Sequence, residues 1–562
     1  MSKSWPASHH FWCATGLFFS SFALMAAPLT PADQSAIEQQ QKALLEQSAR
    51  QREALRENIP ALSVSEMSIP AGKGPCFTLR KIHLKGNTAF SFHAQKKLTA
   101  LPAEGCMTLP AIQRRVRDTT QAYLSAGYIT TRAWLPEQDL SEGTLLIAIA
   151  EGRVETITVA DRQETALWMA FPRTEGRVLN LRDLEQGLEQ LNRLRSRSMT
   201  IDILPGNTEG SSRIQLIPSA THFPVSLSLG VDNSGQKSTG SRQMNVQLSV
   251  DNPIGLADQW TLFAGRDSEF HHDRRSRQFQ AGVSVPYGYW LLNAQYAWSD
   301  FYQTLPVGNS GSRWRYAGSV QSQRLAINRG LWRDEKQRVV LDLALSRRET
   351  DNRLGGVRLG VSSPTLTSLS AGFSYSRALG NGYLTFAPSF SHGLTIAGAS
   401  REDPVHPNLP RSEFRRTSLS SSWFYPLTSS LFWLTSAYAQ TSPDRLYASE
   451  QLSVGGQYSV RGFKEQYLSG NRGGYWRNEL TGQLLTLPGT GWQLSATGAL
   501  DIGHVVSQRG ITEGGTLIGS SLGLELTSKW LTQSVTAGVP LSWPGSITPD
   551  KHVVYWQATV SL

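Results

Sequence analysis

Leu452-Ser453-Val454-Gly455-Gly456-Gln457-Tyr458-Ser459-Val460-Arg461-Gly462-Phe463-Lys464-Glu465 places one arginine among glycines, inside a long tract of alternating polar and apolar residues. From about residue 225 to residue 562 the dominant period is two. Val225-Leu227-Leu229-Val231, Met244-Val246-Leu248-Val250, Trp260-Leu262-Ala264 and Leu431-Trp433 leading into Ala437 are examples. Strand side chains point alternately to opposite faces, so this period marks strands with one apolar face. Turn clusters such as Asp232-Asn233-Ser234-Gly235 and Asp251-Asn252-Pro253 separate them, and aromatic residues gather near strand ends. Strands of this kind with aromatic girdles make a transmembrane β-barrel. A soluble β-sandwich is the competing fold, but so long a tract without helical interruption favours closure into one barrel. In a barrel, the arginine segment reads as a loop folded back into a wet lumen.

The front of the chain agrees with an outer-membrane destination. Lys3 precedes an apolar core at residues 11–25, and the small residues Ala26 and Ala27 follow. This is the pattern of a secretory signal peptide, with cleavage expected after Ala26 although Leu24 is a poor residue there. No later segment approaches the roughly 18 consecutive apolar residues of a membrane helix. The negative mean hydropathy leaves a barrel open, because only alternate residues need face lipid. Cys13 leaves with the signal, so the exported chain keeps Cys76 and Cys106. An isolated pair in an exported protein is most simply one disulfide, and it supplies too few ligands for zinc. The net charge of +10 is scattered and accompanies no nucleic-acid motif, which excludes nucleic acid as a partner.

Composition divides the chain into zones. Thr30-Pro31-Ala32-Asp33 is a helix start, with a hydroxyl cap, proline at the first turn and an acid behind it. Good helix formers continue to Glu57 with thin apolar content, chiefly Ile37, Leu44, Leu45 and Leu55, which suits a helix in a watery channel. Residues 59–75, rich in proline and glycine, read as a linker. From Cys76 the pattern is strand, two helices, two strands. Phe77, Leu79, Ile82 and Leu84 lie on the first strand. Ile112, Val116, Thr119, Tyr123 and Leu124 give a helical period that stops at Gly127, and residues 128–135 and 145–150 are strands. The unit repeats in Val154-Thr156-Thr158-Ala160, a helix over 181–194, and strands at Ile201-Ile203 and Ile214-Leu216.

Val460-Arg461-Gly462-Phe463 resembles the conserved loop of the Omp85 superfamily in its two-partner secretion branch. That branch includes the haemolysin activation/secretion and contact-dependent-inhibition transporters. The phrases Gly127-Tyr128-Ile129-Thr130-Thr131-Arg132-Ala133, Leu181-Arg182-Asp183-Leu184-Glu185-Gln186-Gly187-Leu188-Glu189-Gln190-Leu191-Asn192 and Leu204-Pro205-Gly206 resemble the same transporters. The two repeated units look like POTRA domains. The resemblance implies a mainly β fold: signal peptide 1–26, plug helix 27–58, linker 59–75, POTRA 1 at 76–152, POTRA 2 at 153–220, and a barrel at 221–562. It also implies sixteen strands; roughly twenty-one residues per strand and connection fit that number but do not separate it from fourteen or eighteen. Leu562 departs from the terminal aromatic usual in outer-membrane proteins.

One acidic strand completes the expected site. In Ser495-Ala496-Thr497-Gly498-Ala499-Leu500-Asp501-Ile502-Gly503, alternation turns Leu500 and Ile502 toward lipid, and Asp501 and Gly503 into the lumen. The resemblance pairs Asp501 with Arg461. It further implies a monomeric pore in outer-membrane lipid that binds one unfolded exoprotein through its periplasmic domains. That partner would be a large β-helical haemolysin, adhesin or contact-dependent toxin, translocated and activated without ATP. A barrel-assembly factor and a passive porin are the rival readings; the first would usually carry more periplasmic repeats, the second none. No metalloprotease, nucleophile-elbow, nucleotide or dinucleotide motif appears, so neither an enzyme nor a cofactor is expected. His271-His272-Asp273 resembles a ligand cluster but lies between strands, where a solvated loop is expected.

Overall fold

The computed structural model describes residues 30–56, 75–101, 105–160, 164–307, 312–402, 409–489, 491–508 and 513–562. The signal segment with its cleavage site, and most of the linker, lie outside the described residues. Sixteen antiparallel strands, from Val225–Asp232 to Val553–Ser561, form one closed barrel, with the two-residue flap Val357–Arg358 appended to the strand before it. The last strand pairs back onto the first over five positions, from Gln557↔Asp232 to Ser561↔Ser228. Elsewhere pairing is more extensive: Trp290–Val307 and Ser312–Arg333 match over eighteen positions. Alternation sorts the side chains as read from the sequence, with Leu229, Leu262, Leu292, Leu325 and Leu500 on the exposed outer face. The periplasmic domains lead into Val225, so odd-numbered strands run outward and even-numbered strands return.

The helix Pro31–Arg56 threads this lumen. Thr30 caps it, its hydroxyl accepting from the Asp33 amide (3.1 Å) and donating to the Asp33 carboxylate (2.8 Å). Asp33 also receives Arg348 Nη2 (2.8 Å), and Ala32 packs on Phe301 and Val320 in the outer half of the barrel. At the other end Arg52 lies 5.2 Å from the ring centre of Phe424, near the periplasmic rim. Twenty-six residues span about 39 Å, more than the roughly 30 Å of hydrocarbon. A polar cavity of about 810 Å³ remains beside the helix, lined in part by Glu38, Gln39, Lys42, Gln278 and Asp300.

The first periplasmic unit holds a three-stranded sheet, with Thr144–Ala150 central between Lys81–Lys85 (parallel) and Arg132–Trp134 (antiparallel). The helix Leu109–Ser125 packs Ile112 into one core with Ile82, Leu145 and Ile147 of this sheet, and Tyr123 and Leu124 are buried as well. Two sequence expectations shift here. The expected first strand divides into Cys76–Thr78 and Lys81–Lys85, and the expected Cys76–Cys106 disulfide joins the first piece to a further short strand, Cys106–Thr108. The expected strand over 128–135 shrinks to Arg132–Trp134, because Gly127, at φ +94°, turns the chain and the Tyr128 amide donates back to the Tyr123 carbonyl. Tyr128 then packs edge-on against Phe90 and Tyr123.

The second unit repeats the plan, with Ser211–Thr221 central between Arg153–Val159 and Arg197–Pro205. The first helix of the repeated plan, for which the sequence pattern sets no range, is the short Thr165–Ala170, and Leu181–Asn192 follows. The two units are locked together, since Ile129 of the first packs into the core of the second and the Leu181 amide donates to the Gly127 carbonyl. The helix Leu181–Asn192 turns its charged face to the periplasmic turns of the barrel. Glu189 accepts from Arg333 (2.6 Å) and Arg338 (2.8 Å), Asp183 from Tyr289 (2.6 Å), and Arg193 donates to the Ala257 carbonyl (2.6 Å). Burial works against the Glu189 charge, but the two guanidiniums outweigh it and hold the carboxyl below its ordinary range.

Candidate functional site

The connection between the outward strand Leu431–Thr441 and the returning strand Gly473–Leu487 starts at the outer mouth and folds back into the barrel. A small ribbon, Leu452–Val454 paired with Leu468–Gly470, gives it internal structure. Leu452, Val454, Val460, Phe463 and Leu468 pack on Tyr475, Val505 and Leu517 of the wall, forming an apolar core inside an otherwise polar lumen. Val460 and Phe463 are completely buried, so the hydrophobic effect holds the loop inward.

Arg461 sits between these two anchors. Its Nε and Nη2 each donate to Asp501 at 2.6 Å, a bidentate fork, and its backbone amide adds a third bond to the same carboxylate at 3.1 Å. Its Nη1 donates to Glu479 Oε1 at 2.5 Å. Arg477 donates to the same Glu479 oxygen (2.7 Å) and to the Tyr458 carbonyl (3.1 Å). Asp501 has no exposed surface. Buried charges tolerate such a position only when paired and hydrogen-bonded, and this cluster of two cations and two anions meets that condition.

The wall beneath the tip is flat by composition. A Cβ at Gly519 would lie 1.8 Å from the Arg461 carbonyl oxygen, one at Gly503 would meet Val454 and Val460, and one at Gly538 would meet Gly462. Gly462 itself has φ +102° and lies against the Val539 backbone, which excludes any side chain on both counts. Two polar contacts tie the loop to its surroundings. Lys464 donates to the Asn233 carbonyl across the mouth (2.5 Å), and Gln41 of the lumen helix donates to the Ser453 carbonyl (2.9 Å).

The structure therefore brings Val460, Arg461, Gly462 and Phe463 together with Asp501 and Gly503. Cys76 and Cys106 lie apart, in the first periplasmic unit. Glu479, Arg477, Gly519 and Gly538 escaped the sequence reading. Alternation could have found the first two, since Arg477 stands directly opposite Asp501 in the strand register. His271, His272 and Asp273 form an exposed turn in which His271 approaches Glu269 (3.6 Å). Among the described residues no cluster could hold a metal ion, and no helix is long and apolar enough to cross a membrane.

Comparison with known proteins extends the geometry. The family described as haemolysin secretion/activation protein ShlB/FhaC/HecB matches residues 210–526, a ShlB-type POTRA domain matches 77–152, and a second POTRA domain matches 153–205. The outer membrane transporter CdiB of Escherichia coli O6:K15:H31 (strain 536) is 44% identical over 546 residues, covering 96% of this chain and 92% of that protein. The haemolysin transporter ShlB of Serratia marcescens is 33% identical over 72% of each chain. The solved structure of CdiB from Escherichia coli superposes with a TM-score of 0.89 at 44% identity, over 95% of this chain and all of that one. The chain belongs to the ShlB/FhaC/HecB family: it is a two-partner secretion transporter of the Omp85 superfamily, set in a Gram-negative outer membrane with its POTRA domains in the periplasm.

Proposed function

We propose that this pore accepts one large β-helical exoprotein in unfolded form from the periplasm, passes it to the cell surface and releases it activated, without ATP and without enzymatic chemistry. The observation that carries this reading is the lumen helix Pro31–Arg56. It is a polar rod held by side-chain contacts such as Asp33 to Arg348 and Gln41 to Ser453, and not by an extensive apolar interface. Such a stopper closes the channel at rest and can leave it. The periplasmic sheets expose edges at Lys81–Lys85 and Arg197–Pro205, where an extended client can add a strand by backbone pairing. Folding of the client outside makes return unfavourable and supplies the direction. The barrel closes within one chain, which supports a monomeric pore in outer-membrane lipid. Relatives matched over nearly their whole length are CdiB transporters, and the haemolysin transporter matches over less, which favours a client of the CdiB kind among haemolysins, adhesins and toxins.

Deleting residues 28–58 and recording single channels in planar bilayers tests the stopper, alongside secretion of the co-expressed client. The expected result is a several-fold rise in conductance with secretion retained. Unchanged conductance would remove the helix from the pore.

A further inference from the structure

The short helix Thr165–Ala170 buries Ala166, Leu167, Met169 and Ala170, yet leaves Trp168 58% exposed. A lone exposed tryptophan is ordinary on a protein surface. This one is placed by the barrel. The Gly288 amide donates to the Met169 carbonyl (2.8 Å), fixing the helix to the periplasmic turn between two barrel strands. The Trp168 ring then meets Tyr287 edge-on, with centroids 5.6 Å apart.

Strand register shows which side of the wall this is. Tyr287 pairs with Trp290, and Trp290 shares its face with Leu292 and Tyr296, both exposed on the lipid side. Trp168 therefore continues an outward row beyond the last strand residue. Arg329, opposite Trp290 in the neighbouring strand, lies 4.6 Å from that ring's centre, and Trp332 is exposed further along the same rim. Tryptophan and tyrosine with an adjacent arginine are the chemistry of the membrane–water interface, where rings face acyl chains and polar tips meet headgroups. The headgroup layer is roughly 5–8 Å thick on each side, so a ring one stacking distance past the rim still lies within it.

We infer that the second periplasmic domain rests on the periplasmic leaflet of the outer membrane, with Trp168 seated in the phospholipid headgroup layer. If Trp168 served only to dock the domain on the barrel, Tyr287 would cover it; most of its surface stays open beside the lipid-facing row. The contact adds lipid to a docking in which Asp183 and Gln190 already hold the same barrel turn, and it does not depend on the identity of the client.

The test uses the full chain in nanodiscs of phosphatidylethanolamine and phosphatidylglycerol, labelled without reductant so that Cys76 and Cys106 stay bridged. A spin label on Trp168→Cys is compared with one on Glu209→Cys, in an exposed turn of the same domain. Collision with oxygen relative to an aqueous nickel chelate should be at least threefold higher at 168 than at 209. Equal ratios overturn the inference. A photoactivatable phospholipid applied to the unsubstituted protein should also leave adducts on the peptide spanning 165–173. Adducts confined to barrel strands, or protection of position 168 that appears only with client present, overturn it too.

Discussion

At the scale of single residues, Arg461 and Asp501 form a unit whose worth is conformational. Removing one partner of a buried pair costs roughly 3–5 kcal/mol, because the survivor keeps its desolvation penalty without its partner. Arg461→Ala and Asp501→Ala should each lower client secretion at least tenfold while heat-modifiable gel mobility shows an assembled barrel. Double-mutant analysis sharpens the claim: the paired change should be little worse than either alone, and defects that multiply would show independent action. Gly519→Ala should reproduce the phenotype from the other side, because its new Cβ would meet the Arg461 carbonyl and lift the tip off the wall. An unaltered secretion level in that variant would contradict the seat described here. The first pair was legible only through the family resemblance of the loop at 460–463; strand parity added that Asp501 faces the lumen. The glycine floor was not, because it joins the site only through register between neighbouring strands, and register leaves no local trace.

Elements tell a similar story. The barrel strands announced themselves by period two, but the strand number came from resemblance, since spacing alone fits several counts. The helix Thr165–Ala170 had no readable bounds because it is a short, mostly apolar run, which periodicity cannot separate from a buried strand. Docking of the helix Leu181–Asn192 onto the barrel has a definite pH signature. Glu189 has a pKa lowered by Arg338 and Arg333 in spite of burial. Its contribution is therefore fully present above the ordinary carboxylate value and is lost only as pH falls through the lowered one. Spin-label distances between Glu209→Cys and Lys336→Cys should stay constant from neutrality into mild acid and broaden only in strong acid. With Glu189→Gln the broad distribution should already appear at neutral pH, and a distribution unchanged there would show that the ion pairs do not hold the domain. The disulfide acts on a different element: it closes thirty residues of the first periplasmic unit and should contribute about 3–4 kcal/mol. Reductant should make that unit protease-sensitive while barrel mobility on gels is unchanged; equal resistance with and without reductant would remove the bridge from the stability account.

For the whole molecule, closure is the governing fact. Every backbone group in the hydrocarbon must find a partner, and only a complete ring provides that. The ring is completed by its least extensively paired junction, the five positions joining Gln557–Ser561 to Ser228–Asp232. A chain lacking residues 553–562 should therefore remain unassembled and be degraded in the periplasm, detected as loss of heat-modifiable protein from the membrane fraction. Normal insertion of that truncation would show that the ring can close one stave short. The closing strand thus makes the pore conditional on its own pairing. Because Val553–Ser561 must meet the first stave before a hole can exist, a chain interrupted ahead of it produces debris and never a leak in the envelope.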